Sequence, residues 1–308
     1  MLREVLKALA PKDGGVYVDG TFGAGGYTRA ILESADCTVY AIDRDPEAFA
    51  RAAAMQRDFG SRLVPLHGCF GSVAALLAGA GVEKIDGIVL DLGVSSIQLA
   101  TPERGFSFQH DGPLDMRMSL EGLSAKDVVN KFAEKELADI IYTYGEERAS
   151  RQIAKRIIAA RPLSTTRDLA NVVHSVLPMH GGLKTDTATR TFQALRIYVN
   201  DELGELEKAL NAAETLLGEE GRLVVVSFHS LEDWRVKNFL KEKSGRMANV
   251  SRHLPDRADK RLPSFALEEN NGLKPQDDET AANPRSRSAR LRYGIRTSAP
   301  VMEENAHA

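Results

Sequence analysis

In the first third of the chain, the spacing of hydrophobic positions alternates between that of strands and that of helices. Short apolar runs typical of strands alternate with longer stretches in which apolar residues recur at helical spacing. This order predicts a parallel sheet wrapped by helices. The predicted strands are 16–19, 38–43, 62–66 and 85–91, and the predicted helices begin near Tyr27 and cover 46–56 and 72–80.

The pattern changes after Asp91. Glycine and proline punctuate 93–118, and helical periodicity then runs from about 124 to 176, which predicts an inserted helical subdomain. A helix over about 188–217 leads into an apolar strand at 222–228, residues 241–283 are polar and loop-like, and 289–295 alternate like a last strand. We therefore expect an α/β core in two parts, 1–105 and 188–297, around a helical substrate-recognition subdomain at 106–187, with a flexible tail at 298–308.

The composition is that of an ordinary globular protein. Of the 308 residues 43% are hydrophobic and 27% are charged, and no apolar run approaches the ~20 residues that cross a bilayer. The first residues mix charges into a short helical pattern unlike a signal peptide, so we expect a cytoplasmic protein. Cys37 and Cys69 lack zinc-site spacing, which predicts buried thiols and no metal. The net charge of −3 argues against indiscriminate nucleic-acid binding but allows a local basic surface.

The most informative segment is 16–32, in which a strand, a glycine-rich turn and a helix start follow one another. Gly20, Gly23, Gly25 and Gly26 let the backbone approach a ligand closely, and the first N–H groups of the helix can meet polar atoms. The spacing differs from the G-x-G-x-x-G of dinucleotide sites. Asp19 instead suits a ligand with positive charge. Such a turn is typical of enzymes that bind S-adenosylmethionine (SAM), and an ordinary tight turn is the alternative.

Three further predicted strands end in residues suited to the same ligand. The carboxyl ends of the strands of an open α/β sheet line its binding crevice. Asp43 ends the second strand and can accept hydrogen bonds from ribose hydroxyls. Phe70 follows the third strand and can pack on an adenine face or belong to the core. Asp91 ends a buried strand, where an acid without a partner or a function is unfavourable.

Six segments together resemble the MraW/RsmH family of methyltransferases, and the resemblance covers about residues 2–296. The segments are Asp19–Gly26, Ala41–Pro46, Asp86–Ser96, Arg104–Phe108, Asp111–Met118 and Ser227–Asp233. The resemblance implies a class I SAM-dependent methyltransferase, α/β and Rossmann-like with a mostly parallel sheet, that methylates N4 of a cytidine in the decoding region of 16S rRNA within the small ribosomal subunit. It implies cofactor contacts at Gly25, Gly26, Tyr27, Asp43, Phe70, Asp91 and Gln98, where Tyr27 replaces the histidine of many members.

The catalytic residue stays unassigned at this point. The exocyclic amine of cytosine is a poor nucleophile, so alignment and hydrogen-bond acceptors for its N–H groups must supply much of the rate. Asp91 and Ser95 lie at the end of the fourth strand, where related enzymes often carry an Asp/Asn-Pro-Pro-aromatic motif that this chain lacks. His229 follows the next core strand and is either a proton carrier or a structural residue.

Two basic clusters are candidates for RNA contact. Arg148, Arg151, Lys155 and Arg156 recur at helical spacing, and a C-terminal run holds Arg285, Arg287, Arg290, Arg292 and Arg296. A solvated charged face or internal ion pairs are the alternatives. Phe106 and Phe108 are candidates to stack beside an unstacked cytidine.

Other functions remain open at this stage. A SAM-binding ribosome-assembly factor without catalysis fits the same pocket, and a small-molecule methyltransferase would leave the basic clusters without a use. An NAD-dependent oxidoreductase is disfavoured by the glycine spacing. The sequence leaves the oligomeric state undetermined.

Overall fold

The computed structural model of the protein describes residues 1–178, 186–246, 262–268 and 271–301. The chain divides into two compact units, one formed by 1–93 and 204–308 and the other by 94–203. The hydrophobic pattern placed these limits at 105/106 and 187/188, whereas the units divide at 93/94 and 203/204. None of the described helices is long and apolar enough to cross a membrane.

The first unit is built on a seven-stranded sheet of described residues. Its strands are β1 (Val16–Asp19), β2 (Thr38–Asp43), β3 (Leu63–His67), β4 (Ile85–Asp91), β5 (Leu217–Ser227), β6 (Phe265–Ala266) and β7 (Arg290–Arg296). The order across the sheet is β3-β2-β1-β4-β5-β7-β6. Strands β1 to β5 are parallel, and β7 is antiparallel to both β5 and β6.

Helices cover both faces of this sheet. They are α1 (Leu2–Leu9), α2 (Gly26–Ser34), α3 (Pro46–Phe59), α4 (Val73–Gly79), α11 (Glu202–Leu216, from residue 204 on), α12 (Ser230–Lys243) and α13 (Asp277–Ala282). Alternate strand residues enter two separate hydrophobic cores, as Val39 and Ala41 do on one face and Val18 and Ile42 on the other. This is the layering expected when each strand of a parallel sheet is buried on both sides.

The second unit is helical. It contains α5 (Ser96–Ala100), α6 (Ala125–Lys131), α7 (Glu134–Gly145), α8 (Ser150–Ala160), α9 (Thr166–Val176) and α10 (Thr189–Asn200) around one apolar core. Ser124 caps α6 and Thr165 caps α9, each accepting a hydrogen bond from the third helical N–H.

Two details differ from the sequence prediction. The helix predicted over 188–217 is two helices, because Asp201 adopts a left-handed conformation (φ 49°) that interrupts it between α10 and α11. The polar stretch 241–283 contains the end of α12, the short strand β6 and α13 rather than only loop. β6 is only two residues long, too short to show a period, and α13 begins with three acidic residues rather than an apolar pattern.

A buried ion pair and the hydrogen bonds around it connect α11, α12 and the end of the sheet. The Lys243 ammonium lies 2.8 Å from Oε2 of Glu214, and Ser264 Oγ donates to Oε1 of Glu214 over 2.6 Å. Arg296 Nε donates to the carbonyl oxygen of Glu214 over 2.9 Å. All four residues are buried. The pair is therefore shielded from water and has hydrogen-bonded partners around it.

Replacing Lys243 with alanine leaves the Glu214 carboxylate buried beside an empty position. We expect the free energy of unfolding to fall by about 3–5 kcal/mol, the range for breaking a buried pair. Lys241→Ala on the exposed side of the same helix is the control, with a change within about 0.5 kcal/mol. Urea unfolding monitored by circular dichroism measures both, and equal stability of the two variants would contradict this role for the pair.

Candidate active site

The carboxyl ends of β1 to β5 form one edge of the sheet. The strand order reverses between β1 and β4, which are neighbours in space but are separated in the chain by β2 and β3. Open α/β sheets bind ligands in the crevice at such a reversal. The glycine turn, Asp43, Phe70 and Asp91 all follow or end strands at this edge.

The Asp19 carboxylate holds the glycine turn in place through hydrogen bonds. Its carboxylate is fully buried, Oδ1 accepts the Thr21 N–H (3.2 Å), and Oδ2 accepts both the N–H (3.2 Å) and the hydroxyl (2.7 Å) of Thr28. Burial raises the pKa of this carboxyl to about 6, and the hydrogen bonds from Thr28 and Thr21 oppose that rise. The acid that the sequence suggested for a cationic ligand is thus occupied in holding the turn to α2.

The glycines of the turn have different functions. Gly20 packs against β4, where an added Cβ would lie 2.5 Å from Leu90 Cδ2. Gly25 has φ +81°, and its Cβ would lie 2.5 Å from Met55 Cε. A Cβ added at Gly26 would meet no atom within 4 Å, so the first residue of α2 borders open space. The turn thus offers helical N–H groups to a space at the sheet edge.

Backbone N–H groups fix the orientation of the Asp43 carboxylate. Its Oδ2 accepts the Gly23 N–H (2.8 Å) and its Oδ1 accepts the Asp45 N–H (2.9 Å). Burial raises the pKa of the Asp43 carboxyl, while these two N–H groups oppose the rise. Each carboxylate oxygen has a second lone pair, so the group can still accept hydrogen bonds from a ligand.

Two aromatic residues flank the turn. Phe70 is partly buried, and its Cβ would lie 3.4 Å from a Cβ on Gly20, so the ring follows β3 beside the turn. Tyr27 is the second residue of α2, is also partly buried and packs against the core on the α1 face of the sheet. Burial raises the pKa of its hydroxyl above the ordinary value, so the phenol stays neutral.

Asp91 is an acid of this edge whose carboxylate is not fully hydrogen-bonded. Thr21 Oγ1 accepts its N–H (2.6 Å), which ties the end of β4 to the glycine turn. Within the described part of the chain, its buried Oδ1 has no hydrogen-bond partner. Burial raises the pKa of the Asp91 carboxyl to about 7, the Asp19 and Glu232 carboxylates raise it further, and the Met1 amino group lowers it. A buried acceptor without a partner is costly and indicates a ligand position.

His229 lies on the neighbouring strand end, since Asp91 pairs in register with Val226 at the end of β5. It caps α12: its Nδ1 accepts the Glu232 N–H (3.4 Å), and Glu232 Oε2 accepts the Phe228 N–H (2.8 Å). Because Nδ1 is an acceptor, a neutral His229 carries its proton on Nε2. Nε2 is then a donor that lies 3.1 Å from Glu232 Oε1, yet within the described residues this buried nitrogen has no hydrogen-bond partner.

Ser95 and Gln98 belong to the second unit and form the cap of α5 there. Ser95 Oγ accepts the Gln98 N–H (3.1 Å), and Gln98 Oε1 accepts the Ser95 N–H (2.9 Å). Gln98 is buried. This reciprocal capping box fixes both side chains. It also fixes the direction in which the chain that follows Asp91 enters α5.

The basic clusters differ in exposure. Arg151, Lys155 and Arg156 are exposed along α8, and Arg148 is exposed just before that helix, as an RNA-binding stripe requires. In the C-terminal run, Arg292 is buried in a two-pronged pair with Asp233 (2.7 and 3.0 Å), and Arg296 is buried with carbonyl partners. These two arginines serve the fold, whereas Arg285 and Arg287 are exposed.

Of the two phenylalanines proposed to stack on a base, Phe106 belongs to the core of the second unit and Phe108 is partly buried against that core. Phe106 is buried, and Phe108 packs edge-on against Phe192 with ring centroids 4.7 Å apart. Sequence reasoning missed Thr21, Thr28 and Glu232, which fix the acids and the histidine. The spacing of His229 and Glu232 is that of a capping box and was the one available signal.

Known proteins similar to this chain match nearly its full length. A family model described as the MraW methylase family matches residues 1–296. Proteins named ribosomal RNA small subunit methyltransferase H are 55% identical in Paramagnetospirillum magneticum, covering 98% of this chain and 96% of the relative, and 56% identical in Rhodospirillum rubrum, covering 98% and 94%. The protein of that name in Rhodospirillum centenum is 58% identical and covers 97% and 91%.

The turn geometry predicts opposite effects for two adjacent glycines. Gly25→Ala forces a left-handed alanine and a clash with Met55, so we expect the free energy of unfolding to fall by at least about 1–2 kcal/mol. Gly26→Ala meets no atom at the start of α2 and should leave stability unchanged or raise it by up to about 1 kcal/mol. Urea unfolding of the two variants without ligand measures both. Equal destabilisation would refute the open space at Gly26.

Proposed function

Because this chain belongs to the MraW methylase family, we propose that it transfers a methyl group from SAM to N4 of a cytidine in the decoding region of 16S rRNA. The coarser description, a SAM-dependent methyltransferase of small-subunit rRNA, follows from the family and from the names of its relatives. The observation that carries the finer assignment is the buried, unpartnered Oδ1 of Asp91 beside the glycine turn. An amine substrate needs such an acceptor.

The residues of the sheet edge fit the cofactor. Asp43 offers a carboxylate for ribose hydroxyls, the start of α2 at Gly26 borders open space, and Asp91 places negative charge where a sulfonium would be stabilised. We assign cofactor contacts to Gly25, Gly26, Tyr27, Asp43, Phe70, Asp91 and Gln98. When bound, SAM supplies the methyl group on its positively charged sulfur.

Asp91 is also our candidate for the substrate amine. The lone pair of the cytosine amine is delocalised into the ring, and positive charge develops on the nitrogen as it is methylated. A carboxylate that accepts one of its N–H bonds orients the amine and stabilises that charge in the transition state. A pKa of about 7 suits a group that takes up a proton near neutral pH. His229, with Nδ1 used in the cap, is poorly suited to that role.

The rRNA substrate gives the second unit a function. We propose that residues 94–203 recognise the RNA and that the exposed cations of α8 contact its phosphates. The proposed substrate is 16S rRNA within the small ribosomal subunit, so we expect the enzyme to act in the cytoplasm. Ser95 remains a weaker catalytic candidate, because its hydroxyl oxygen already accepts a backbone N–H.

The direct test is to incubate the protein and SAM with small ribosomal subunits and, separately, with free 16S rRNA. Mass spectrometry of the digested RNA should then locate N4-methylcytidine in the decoding region. Its absence from both substrates, with SAM binding intact in calorimetry, would favour the rival assignment of a SAM-binding assembly factor without catalysis.

Asp43→Ala should weaken SAM binding by about 10-fold or more, since a hydrogen bond to a charged acceptor contributes about 1.5–3 kcal/mol. Asp36→Ala is the matched control, because Asp36 is exposed and precedes β2 at the opposite edge of the sheet. Calorimetric titration with SAM reports both affinities. An Asp43→Ala protein that binds SAM like the wild type would remove Asp43 from the cofactor site.

Asp91 predicts a pH dependence of the methyl transfer. In the free protein the carboxyl is protonated below its pKa of about 7 and accepts from the amine only when ionised. The kcat/KM for SAM reports the free protein and should therefore rise through pH 7 and level off above it. Asp91→Asn should lower the rate by about 100-fold or more and abolish this rise. Asp86→Asn, on the same strand but paired with Lys12, should keep the wild-type profile. A wild-type profile in Asp91→Asn would exclude the assignment.

A further inference from the structure

The exposed face of α12 is a separate feature of the first unit. Trp234, the single tryptophan of the chain, is 61% exposed near the start of the helix. Lys237 and Lys241 are also exposed, and their spacing of three and seven residues from Trp234 places all three on one side. The opposite side, with Val236 and Leu240, is buried against the sheet. We call Trp234, Lys237 and Lys241 the α12 face.

The acidic residues of α12 do not neutralise this face. Glu232 is buried in the cap, and Asp233 is held by Arg292. Glu242 is exposed but lies about 100° around the helix from Lys241. Within the part of the chain that the structure describes, neither Lys237 nor Lys241 forms an ion pair with a carboxylate. Arg235 lies with its guanidinium carbon 5.9 Å from the Trp234 ring centroid and is itself paired with Glu207. The α12 face therefore carries net positive charge beside an accessible aromatic ring.

This combination fits a nucleic acid better than a protein surface. Trp234 is the only large hydrophobic residue exposed on the described residues of α12, so there is no contiguous apolar patch for a protein partner. Proteins that bind single strands stack bases on aromatic side chains and hold the phosphates with cations. A tryptophan ring with two lysines about 6 Å apart along the helix supplies both.

The position of α12 connects this face to the candidate active site. The helix begins after β5, whose residue Val226 is paired with Asp91, and Leu92 donates its N–H to Val226 (2.9 Å). Trp234 is one helical turn beyond the start of α12. The α12 face thus extends from the edge at which the target amine would be held.

We propose that the α12 face binds the RNA strand next to the target cytidine, with Trp234 stacked on an unpaired base and Lys237 and Lys241 on phosphates. The proposal rests on the proposed RNA substrate and adds to it a contact outside the reacting nucleotide.

Intrinsic fluorescence gives a local test, because all tryptophan emission comes from Trp234. The probe is a short single-stranded RNA with the sequence of the decoding region, added to the full-length protein. We expect quenching of the emission and protection from acrylamide. Unchanged emission at an RNA concentration that saturates binding would overturn the proposal, as would quenching that follows protein concentration without RNA, which would assign the face to a second copy.

Variants separate this contact from the active site. With end-labelled RNA, Trp234→Ala should bind about 10-fold more weakly, Trp234→Phe should retain part of the affinity, and Lys237→Ala should reduce the salt slope by about one. SAM affinity and kcat should be unchanged while KM for the RNA rises. Lys241→Glu should weaken binding more than Lys84→Glu, a control with the same charge change at the opposite edge of the sheet.

The outcomes distinguish this proposal from the proposed function. Quenching by RNA without any methyl incorporation would keep the α12 face as an RNA contact and refute the methylation. Methylation of the RNA with wild-type KM in Trp234→Ala and Lys241→Glu would keep the enzyme and refute the α12 face.

Discussion

The buried carboxylate of Asp19 is the interaction on which the candidate site depends. By accepting three hydrogen bonds from Thr21 and Thr28, it holds the end of β1, the glycine turn and the start of α2 as one piece. Thr21 in turn accepts the Asp91 N–H, so the same turn fixes the end of β4. Displacing this carboxylate would release both walls of the crevice. The acid expected to meet the ligand instead shapes the place where the ligand binds.

At this edge of the sheet, two acids accept hydrogen bonds from the backbone, whereas a third has a carboxylate oxygen without a hydrogen-bond partner. Asp19 and Asp43 receive backbone N–H groups, which favour their charged forms against the effect of burial. Asp91 has no such compensation at Oδ1, and its pKa is raised to about 7, against about 6 for Asp19. Groups with strongly perturbed pKa values in a crevice are candidates for function. This difference supports our proposal that Asp91 takes part in the chemistry, whereas Asp19 holds the glycine turn.

Much of the fold could be predicted from the sequence, because apolar periodicity and the glycine turn are local signals. The predicted class I, mostly parallel α/β fold is confirmed, and the family confirms SAM as cofactor. Interactions between residues far apart in the sequence could not be predicted from these local signals. The burial of Arg292 and Arg296 depends on Asp233 and Ser264. Phe106 and Phe108 were candidates to stack beside a cytidine, and only tertiary packing places Phe106 in a core and Phe108 against it.

We propose that the Asp91 carboxyl faces the cationic part of SAM. This contact has a direct thermodynamic consequence, the release of protons when SAM binds. A cation beside a carboxyl with a pKa of about 7 lowers that pKa, so binding must release protons near neutral pH. The measurement is calorimetric titration with SAM at pH 7 in two buffers of different ionisation enthalpy. We expect a fractional proton release in the wild type and none in Asp91→Asn, since a contact between Asp91 and the cation requires it. Binding without proton release in the wild type, or the same release in both proteins, would contradict it.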